Sequence, residues 1–204
     1  MYDDYSIVYE FENNLYVNMT NRCTNSCTFC IRNNGDCVGN SKSLWLEEEP
    51  KREEIWAEIK SRKIETYNEL VFCGYGEPLL RFNDVLYICE KMRSYSNISI
   101  RINTNGQIEF INKRPLAQQF EGLVDCISIS LNAPNAKKYN ELCKPALDGV
   151  FEAILNFTRH CKIYVPTVIL TVIGDILTPE EIQVCRTIAE DEIGVKFKIR
   201  KLMK

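Results

Sequence analysis

Short β-forming runs alternate with longer amphipathic segments along this chain, and that alternation limits the folds open to it. Six strands are predicted, at residues 15–19, 69–73, 97–102, 125–131, 163–173 and 195–200. Helices are predicted between them, at residues 46–63, 82–95, 114–121, 148–161 and 179–191. This alternation indicates an α/β fold built from βα repeats around a parallel sheet.

The length of the chain narrows the choice of βα fold. A complete eight-unit barrel usually needs about 250 residues, whereas this chain has 204. The prediction is therefore either an open doubly wound sheet or an incomplete barrel. A further strand near 7–11 is predicted to form a hairpin with the first strand through Asn13 and Asn14. The runs 125–131 and 163–173 are apolar almost throughout, which predicts strands covered on both faces.

Two of the predicted helices begin with recognisable capping signals. Thr178 is a predicted N-cap, followed by Pro179 at the first helical position and by Glu181 as its capping-box partner. Asp148 is the predicted N-cap of the helix at 148–161.

Composition and charge exclude several classes of protein. The formal net charge is -3, so the chain has no overall basic footprint for nucleic acid. The longest apolar run, at 164–174, is too short to cross a bilayer. The N-terminal stretch 1–14 is acidic and polar, unlike a secretory signal. We predict a cytoplasmic protein without a membrane segment or a nucleic-acid-binding module.

Unusual residues follow each predicted strand, at the end where βα folds place their functional sites. In chain order they are a cysteine loop after the first strand, Gly74 to Pro78, residues 103–106, Ser130 to Asn132, Gly174 with Asp175, and Arg200. Taken singly, the glycine, asparagine and aspartate residues are also common turn formers. Their recurrence at successive strand ends predicts one functional site at this edge of the sheet.

Three cysteines, Cys23, Cys27 and Cys30, lie within eight positions of the cysteine loop. A disulfide framework, a zinc site, an iron–sulfur cluster and coincidence are all open, although clustered cysteines in a reducing compartment more often hold metal. A closed zinc site needs four ligands, as does an iron–sulfur cluster that only transfers electrons. Three thiols would leave one iron open to a substrate or cofactor. The other seven are predicted to be small buried core residues: Cys37, Cys73, Cys89, Cys126, Cys143, Cys161 and Cys185.

The spacing Cys23-x3-Cys27-x2-Cys30, with Phe29 before the last cysteine, resembles the signature of the radical S-adenosylmethionine (SAM) superfamily. The segment Gly74-Tyr75-Gly76-Glu77-Pro78 is similar to that family's Gly-Gly-Glu-Pro segment, with Tyr75 in place of the second glycine. The stretch TNRCTNSCTFCIRNNGD and the VG and LWLEEEP that follow it also resemble the TatD-associated (TatD-linked) radical SAM proteins. The resemblance implies a partial (β/α)6 TIM-type barrel, with residues 1–204 as one radical SAM core domain and a cluster loop at 23–45.

The resemblance also implies a chemistry and its cofactors. Cys23, Cys27 and Cys30 would hold an oxygen-sensitive [4Fe–4S] cluster whose open iron chelates the methionine half of SAM. Reductive cleavage of SAM would give methionine and a 5′-deoxyadenosyl radical, which takes hydrogen from an unknown small-molecule, peptide or protein substrate. A one-electron donor such as flavodoxin or ferredoxin, and a functional link to a TatD-family hydrolase, are implied in the same way.

Several residues outside the cysteine loop are implied to contact SAM. The backbone of Phe29 would meet the adenine, and the backbone of Gly74, Tyr75 and Gly76 would face the methionine amino group, with Glu77 and Pro78 shaping that turn. The remaining implied contacts are Ser130 and Asn132 with the ribose or the methionine carboxylate, Asn103 and Thr104 in the same pocket, Ile173 with the adenine, and Arg200 with a carboxylate.

Two questions stay open at this point. One is whether the chain is an enzyme or a non-catalytic metal- or iron–sulfur-binding βα protein with a structural or electron-transfer role; the Gly74 to Pro78 segment favours the enzyme. The other is the segment 31–45, which is longer than a usual βα loop. It either shields the cluster, forms part of the substrate site or is a disordered surface loop.

Overall fold

One seven-stranded sheet organises the chain, of which the computed structural model describes residues 4–203. Its strands are β1 (Val8–Phe11), β2 (Asn14–Val17), β3 (Glu69–Phe72), β4 (Ser99–Thr104), β5 (Cys126–Ser130), β6 (Thr167–Ile173) and β7 (Lys196–Arg200). Their order in the sheet follows the chain, with β1 antiparallel to β2 and every later pair parallel. A doubly wound sheet reverses its strand order at a switch point. The unreversed order therefore confirms the incomplete barrel.

Helices connect the parallel strands on one side of the sheet. Within residues 4–203 the α-helices are α1 (Arg52–Lys60), α2 (Phe82–Arg93), α3 (Ile108–Asn112), α4 (Ala136–Cys143), α5 (Val150–Tyr164) and α6 (Pro179–Thr187). In this part of the chain, none of them is long and apolar enough to cross a membrane. Residues 1–3 and 204 lie outside the described residues. The predicted domain 1–204 includes all four of them, and the N-terminal stretch from which a secretory signal was excluded includes the first three.

Several predicted helix boundaries were wrong for local reasons. The helix predicted at 46–63 begins only after Pro50, and the helix predicted at 114–121 is a 3₁₀ turn, Ala117–Phe120. The run 163–173 divides at Pro166, because α5 continues to Tyr164 and β6 begins after the proline. Helix α4 was not predicted, although the Asn135 side chain caps it by accepting from the Lys138 backbone N–H at 2.9 Å.

Some of the predicted turn and cap residues are confirmed and others were wrong. Thr178 caps α6 with Glu181 as its capping-box partner, as predicted. The cap of α5 is Gly149, with φ of 76°, and not Asp148. The β1–β2 turn uses Glu12 and Asn13, both with positive φ, while Asn14 already pairs with Phe11 in the sheet.

The two faces of the sheet differ in what covers them. One face packs against the helices through buried residues such as Phe72, Ile102 and Leu170. The strand residues that alternate with these point to the other face of the sheet, which we call the inner face. Its residues are Tyr9, Phe11, Asn14, Tyr16, Glu69, Val71, Ser99, Arg101, Asn103, Cys126, Ser128, Ser130, Thr167, Ile169, Thr171, Ile173, Lys196, Lys198 and Arg200. The prediction that 125–131 is covered on both faces was wrong, because Ser128 and Ser130 are only half-buried there.

The segment 31–45, which we call the cover loop, is ordered and lies over part of the inner face. Its Val38 and Leu44 pack with Tyr9, Tyr16 and Tyr75 in a second apolar cluster, separate from the helix-covered core. The cover loop is therefore not a disordered surface loop. It covers the inner face over β1 to β3. Over β4 to β7 the polar residues of that face, such as Ser128 and Lys198, keep partial or full exposure.

Burial of the seven scattered cysteines only partly follows the prediction. Cys89, Cys126, Cys143, Cys161 and Cys185 are buried as expected. Cys73 is only half-buried and Cys37, in the cover loop, is exposed, so the prediction was wrong for Cys37.

Gly76→Ala should destabilise the fold strongly. A Cβ at Gly76 would lie 2.5 Å from the carbonyl oxygen of Arg22 and closer still to that of Thr20, both of them backbone atoms that side-chain motion cannot clear. We expect a loss of about 3 kcal/mol in the free energy of unfolding, measured by urea denaturation. The control is Gly122→Ala, where no atom lies within 4 Å of an added Cβ and only left-handed backbone strain of about 1 kcal/mol applies. Equal losses in the two variants would contradict the steric argument.

Candidate functional site

The cysteine loop leaves the C-terminal end of β2 and is held against the end of α4 by backbone hydrogen bonds. The Ser26 N–H donates to the Cys143 carbonyl at 3.0 Å, and the Thr28 N–H donates to the Leu142 carbonyl at 2.9 Å. These two bonds flank Cys27 and join segments more than a hundred residues apart. The loop that carries the three thiols is thus fixed by the βα unit that follows β5.

A buried amide network fixes the other side of the cysteine loop. The Asn25 Nδ2 group donates to the Tyr139 hydroxyl at 2.9 Å, and the Gln107 Nε2 group donates both to Asn25 Oδ1 at 2.8 Å and to the Tyr139 hydroxyl at 3.2 Å. The Asn105 Nδ2 group donates to Thr24 Oγ1 at 2.9 Å. Sequence reasoning missed Asn25, Gln107 and Tyr139. The available signal for Asn25 and Gln107 was their place within the cysteine loop and directly after residues 103–106, whereas nothing in the sequence pointed to Tyr139.

The three thiols of the loop are half-buried and free of disulfides. Cys23 Sγ accepts from the Asn25 N–H at 3.5 Å, and burial raises the pKa of this thiol to about 11. The pKa of Cys27 is raised, mainly by a hydrogen bond with the Cys143 thiol and secondly by burial. Within residues 4–203 no three histidine, cysteine or acidic side chains are gathered as a ready metal site. The Cys27 side chain is instead turned toward Cys143.

The donor set nevertheless suits an iron–sulfur cluster. Thiolate sulfur is the ligand such clusters require, and three thiols share one loop that is anchored on both sides. A cluster ligand must lose its proton, so thiols with raised pKa values release protons when metal binds. Cys143 lies at 0% relative exposure behind Cys27. Cys143 is therefore less accessible than Cys23, Cys27 and Cys30, which are half-exposed.

The Gly74 to Pro78 turn at the end of β3 packs directly on residues 18–22, which join β2 to Cys23 and which we call the stem of the cysteine loop. A Cβ at Gly74 would meet the Asn18 side chain, and Gly76 faces the carbonyl groups of Thr20 and Arg22. The Glu77 N–H donates to the Arg22 carbonyl at 2.8 Å. The glycines are therefore required by a contact between two segments of this chain, whether or not a ligand also approaches them.

Tyr75, which replaces a glycine of the family pattern, points away from this turn and into the cover loop. Its hydroxyl donates to the Gly35 carbonyl at 2.6 Å, and its ring meets Trp45 edge-on at 5.1 Å between centroids. Its backbone N–H donates to Asn18 Oδ1 at 3.3 Å. The Tyr75 side chain thus anchors the cover loop, while the backbone of the turn keeps its place beside the cysteine loop.

Glu77 is a buried carboxyl group that links the ends of β3 and β4. It accepts from the Leu79 N–H at 3.1 Å, from the Thr104 hydroxyl at 2.7 Å and from the Asn105 N–H at 2.7 Å. Burial raises the pKa of Glu77 to about 7, against the opposing effect of these three hydrogen bonds. The Thr104 hydroxyl is thus already engaged by Glu77.

The other residues predicted for the site lie in several different places. Ser130, Ile173 and Arg200 lie on the inner face near the C-terminal ends of β5, β6 and β7. Asn132 follows β5 with φ of 56°, and its Oδ1 atom is buried without a hydrogen-bond partner in the described part of the chain. Phe29 is partly buried and packs on the helix-covered core instead.

Asn103 lies lower on the inner face. Its Oδ1 atom accepts from Arg101 at 3.1 Å, so its side chain is already engaged by a neighbour on the same strand.

Comparison with known proteins connects this site to a family. The family model described as "Radical SAM superfamily" matches residues 17–188. A curated relative, the probable dual-specificity RNA methyltransferase RlmN of Syntrophomonas wolfei subsp. wolfei, is 27% identical in an alignment of 146 residues that covers 66% of this chain and 40% of that protein. This chain therefore corresponds to well under two thirds of the relative's length.

Solved structures share the fold at low sequence identity. A radical SAM methyltransferase from Sphaerobacter thermophilus superposes with a TM-score of 0.66 and 16% identity, covering 94% of this chain and 57% of that chain. Streptococcus suis SuiB bound to S-adenosylmethionine superposes with a TM-score of 0.67 and 16% identity, covering 95% and 41%. At identities this low, the superpositions show a common fold and do not indicate a substrate.

Tyr139→Phe should weaken the fold by removing one hydroxyl from the amide network. The buried Asn25 and Gln107 amide groups would each lose an acceptor while the aromatic ring stays in place. We expect the free energy of unfolding to fall by about 2 kcal/mol, measured by urea denaturation. The control Tyr95→Phe, at a side chain with 51% relative exposure, should change it by less than about 0.5 kcal/mol. An unchanged Tyr139→Phe protein would show that the network adds nothing to stability.

Glu77 should make the ligand-free protein less stable as the pH rises. The folded-state pKa of about 7 exceeds the ordinary value of 4.5, so the folded chain keeps a proton over a pH range in which the unfolded chain loses it. The free energy of unfolding should therefore fall by roughly 3 kcal/mol as the pH rises through this range, and level off above it. The measurement is urea denaturation between about pH 4.5 and pH 8.

Two variants isolate the contribution of Glu77 to this pH dependence. Glu77→Gln should lose most of the fall, and its overall stability should drop because an amide NH₂ group would face the Asn105 N–H. Glu65→Gln, at an exposed glutamate, should keep the wild-type dependence. The same slope in Glu77→Gln as in wild type would assign the pH dependence to other groups.

Proposed function

The chain belongs to the radical SAM superfamily, and we propose that it is an enzyme that cleaves SAM reductively to methionine and a 5′-deoxyadenosyl radical, which abstracts hydrogen from a substrate. The observation that carries this proposal is the packing of the Gly74 to Pro78 turn on the stem of the cysteine loop. Two motifs that are far apart in sequence become one site at the C-terminal ends of β2 and β3. A βα protein that used its cysteines only for structure would not need the second motif there.

Cys23, Cys27 and Cys30 are the proposed ligands of a [4Fe–4S] cluster. When bound, this cluster supplies the electron that breaks the S–C5′ bond of SAM. The chain's own contribution is to hold the three thiols on a loop anchored by α4 and by the buried amide network. Such anchoring fixes the position of a cofactor before it reacts.

The proposed SAM contacts follow the strand ends from β3 to β6. The backbone of Gly74 to Gly76 would bind the methionine amino group, and Glu77 keeps that turn in place through its three hydrogen bonds. Asn132 is assigned to the ribose or the methionine carboxylate, and its unpartnered Oδ1 atom, a hydrogen-bond acceptor, favours the ribose, whose hydroxyl groups can donate. The assignments of Ser130 and Ile173 rest on their places at the ends of β5 and β6.

Phe29 and Asn103 are proposed SAM contacts as well. Phe29 would act through its backbone, since its side chain packs on the core. Asn103 would act from the inner face, where Arg101 orients its side chain.

The cover loop is proposed to keep water away from the reacting groups. Tyr75 anchors it to the SAM-binding turn, and its apolar residues close the inner face over β1 to β3. A radical intermediate reacts with whatever lies beside it, so restricted access limits side reactions.

A narrower assignment to the TatD-associated radical SAM proteins is also proposed. It rests on the stretch TNRCTNSCTFCIRNNGD, on the VG that follows it and on LWLEEEP at Leu44 to Pro50. With it come a one-electron donor such as flavodoxin or ferredoxin, a functional link to a TatD-family hydrolase, and residues 1–204 as one core domain.

Cys27→Ala should abolish cluster assembly and SAM cleavage, because an iron–sulfur cluster with two remaining thiolates lacks a ligand. The experiment measures iron, acid-labile sulfide and 5′-deoxyadenosine after anaerobic reconstitution, reduction and addition of SAM. Cys185→Ala, at a buried cysteine in α6, should keep wild-type values. Full iron and sulfide in Cys27→Ala would refute the ligand assignment. Wild-type protein that binds zinc, or whose intact cluster ignores SAM, would refute the enzymatic proposal.

A further inference from the structure

The inner face of the sheet is polar over β4 to β7, the part that the cover loop leaves accessible. A closed βα barrel fills this space with branched apolar side chains. Here the register places Arg101, Asn103, Ser128 and Ser130 on the inner face of β4 and β5. Polar groups in such a concave place need partners, so this surface is suited to a polar ligand and unsuited to a packed core.

Cationic residues outnumber acidic ones on the described strands of this face. The cations are Arg101, Lys196, Lys198 and Arg200, and the carboxylate is Glu69. Arg101 already pairs with Glu69 at 2.9 Å. The other three cations have no carboxylate partner on the strands of this face, in a chain whose net charge is -3. A concave surface of one sign concentrates ligands of the opposite sign.

Arg200, the last residue of β7, is the innermost of these unpaired cations. Its guanidinium lies near Cys73 and Arg101, close enough for each to act on the pKa of Arg200, which burial lowers. Its Nε atom is buried and has no hydrogen-bond partner among residues 4–203. A buried guanidinium N–H without an acceptor is costly, and arginine does not avoid that cost by losing its proton. The missing acceptor is therefore expected from outside the chain.

The cover loop also contacts the chain just beyond β7. The Asn34 Nδ2 group donates to the Met203 carbonyl at 2.9 Å, a short distance along the chain from Arg200. The Nε atom of Arg200 is itself buried. An anion bound to it would be partly removed from water, where charge-assisted hydrogen bonds are stronger.

We propose that Arg200, with Lys198 on the same face of β7, binds an anionic group of the substrate, either a carboxylate or a phosphate. The proposal rests on the proposed function, because it names the substrate class for the same site. The sequence analysis assigned Arg200 to SAM, whereas this proposal assigns it to the substrate. The planar fork of arginine matches both oxyanions, and the neighbouring lysine adds charge. Arg101, already engaged by Glu69 and Asn103, is a positioning residue.

The test is calorimetric titration of the reconstituted full-length protein, with its cluster left oxidised, using malonate and inorganic phosphate as probes at constant ionic strength. We expect saturable binding of at least one probe. In Arg200→Met the affinity should fall on the order of tenfold or more, because a charged hydrogen-bonding group is lost. Lys91→Met, which removes one exposed positive charge from α2, should keep the wild-type affinity. The probe that binds more tightly identifies the anionic group.

Saturating SAM is added in a second set of titrations to separate the two possible anion sites. Undiminished probe affinity in its presence supports a substrate site. Competition by SAM would show that Arg200 serves the methionine carboxylate and would overturn the proposal. Absence of saturable binding, or equal binding by Arg200→Met, would overturn it as well. SAM that fails to bind at all would contradict the proposed function, while the probe titrations would still decide whether the anion site exists.

Arg200→Lys keeps the test decisive if the methionine variant does not fold. It retains the charge and loses the fork, so its affinity for the tighter probe should lie between those of wild type and a charge-free variant. Wild-type affinity in Arg200→Lys together with loss in Arg200→Met would support a simple charge contact. Wild-type affinity in Lys198→Met would overturn the two-residue site.

Discussion

The contact between the stem of the cysteine loop and the Gly74 to Pro78 turn is the constraint on which the rest of the site depends. At Gly76 two backbone segments approach so closely that no side chain fits, and the Glu77 N–H donates to the Arg22 carbonyl across the gap. Glu77 then extends the connection to β4 through Thr104 and Asn105. One glycine and one buried carboxyl group thus fix three neighbouring strand ends relative to each other.

Buried polar groups are expensive unless they are hydrogen-bonded, and this chain places many of them beneath its site. Asn18, Asn25, Gln107 and Glu77 are all buried, and each is engaged by at least two hydrogen bonds. Networks of this kind are rigid because every member restricts its neighbours. Rigidity under the cysteine loop, combined with half-exposed thiols above it, is the arrangement that a bound cofactor requires.

The sheet separates the proposed SAM contacts from two other features of the inner face. The cysteine loop and the proposed SAM contacts lie at the strand ends from β2 to β6, and one fold supports many different reactions by varying what surrounds the site. The cover loop, anchored by Tyr75, and the cationic residues of β7 lie elsewhere on the inner face. These two features, which border the accessible space, are where the chemistry of the substrate is expected to be recognised.

The sequence by itself determined the βα alternation, the cysteine spacing and the strand ends at which unusual residues gather. Such features are local, and each follows from hydrophobic periodicity or from the residue types that turns and metals require. The sequence also predicted the capping box of Thr178 and Glu181, which are only three residues apart. Wrong predictions at Pro166 and Asp148 concerned element ends, which depend on a few competing hydrogen bonds.

Only the tertiary structure decided which distant residues meet. Tyr139 joins Asn25 because α4 packs on the cysteine loop, and no pattern within either segment encodes the other. The same holds for the Cys27 and Cys143 thiols and for Arg200 beside Cys73. Whether a strand face is covered is likewise a property of the assembled sheet. The half-open inner face exists because the sheet remains an incomplete barrel, and because the cover loop closes it over β1 to β3 and leaves β4 to β7 open.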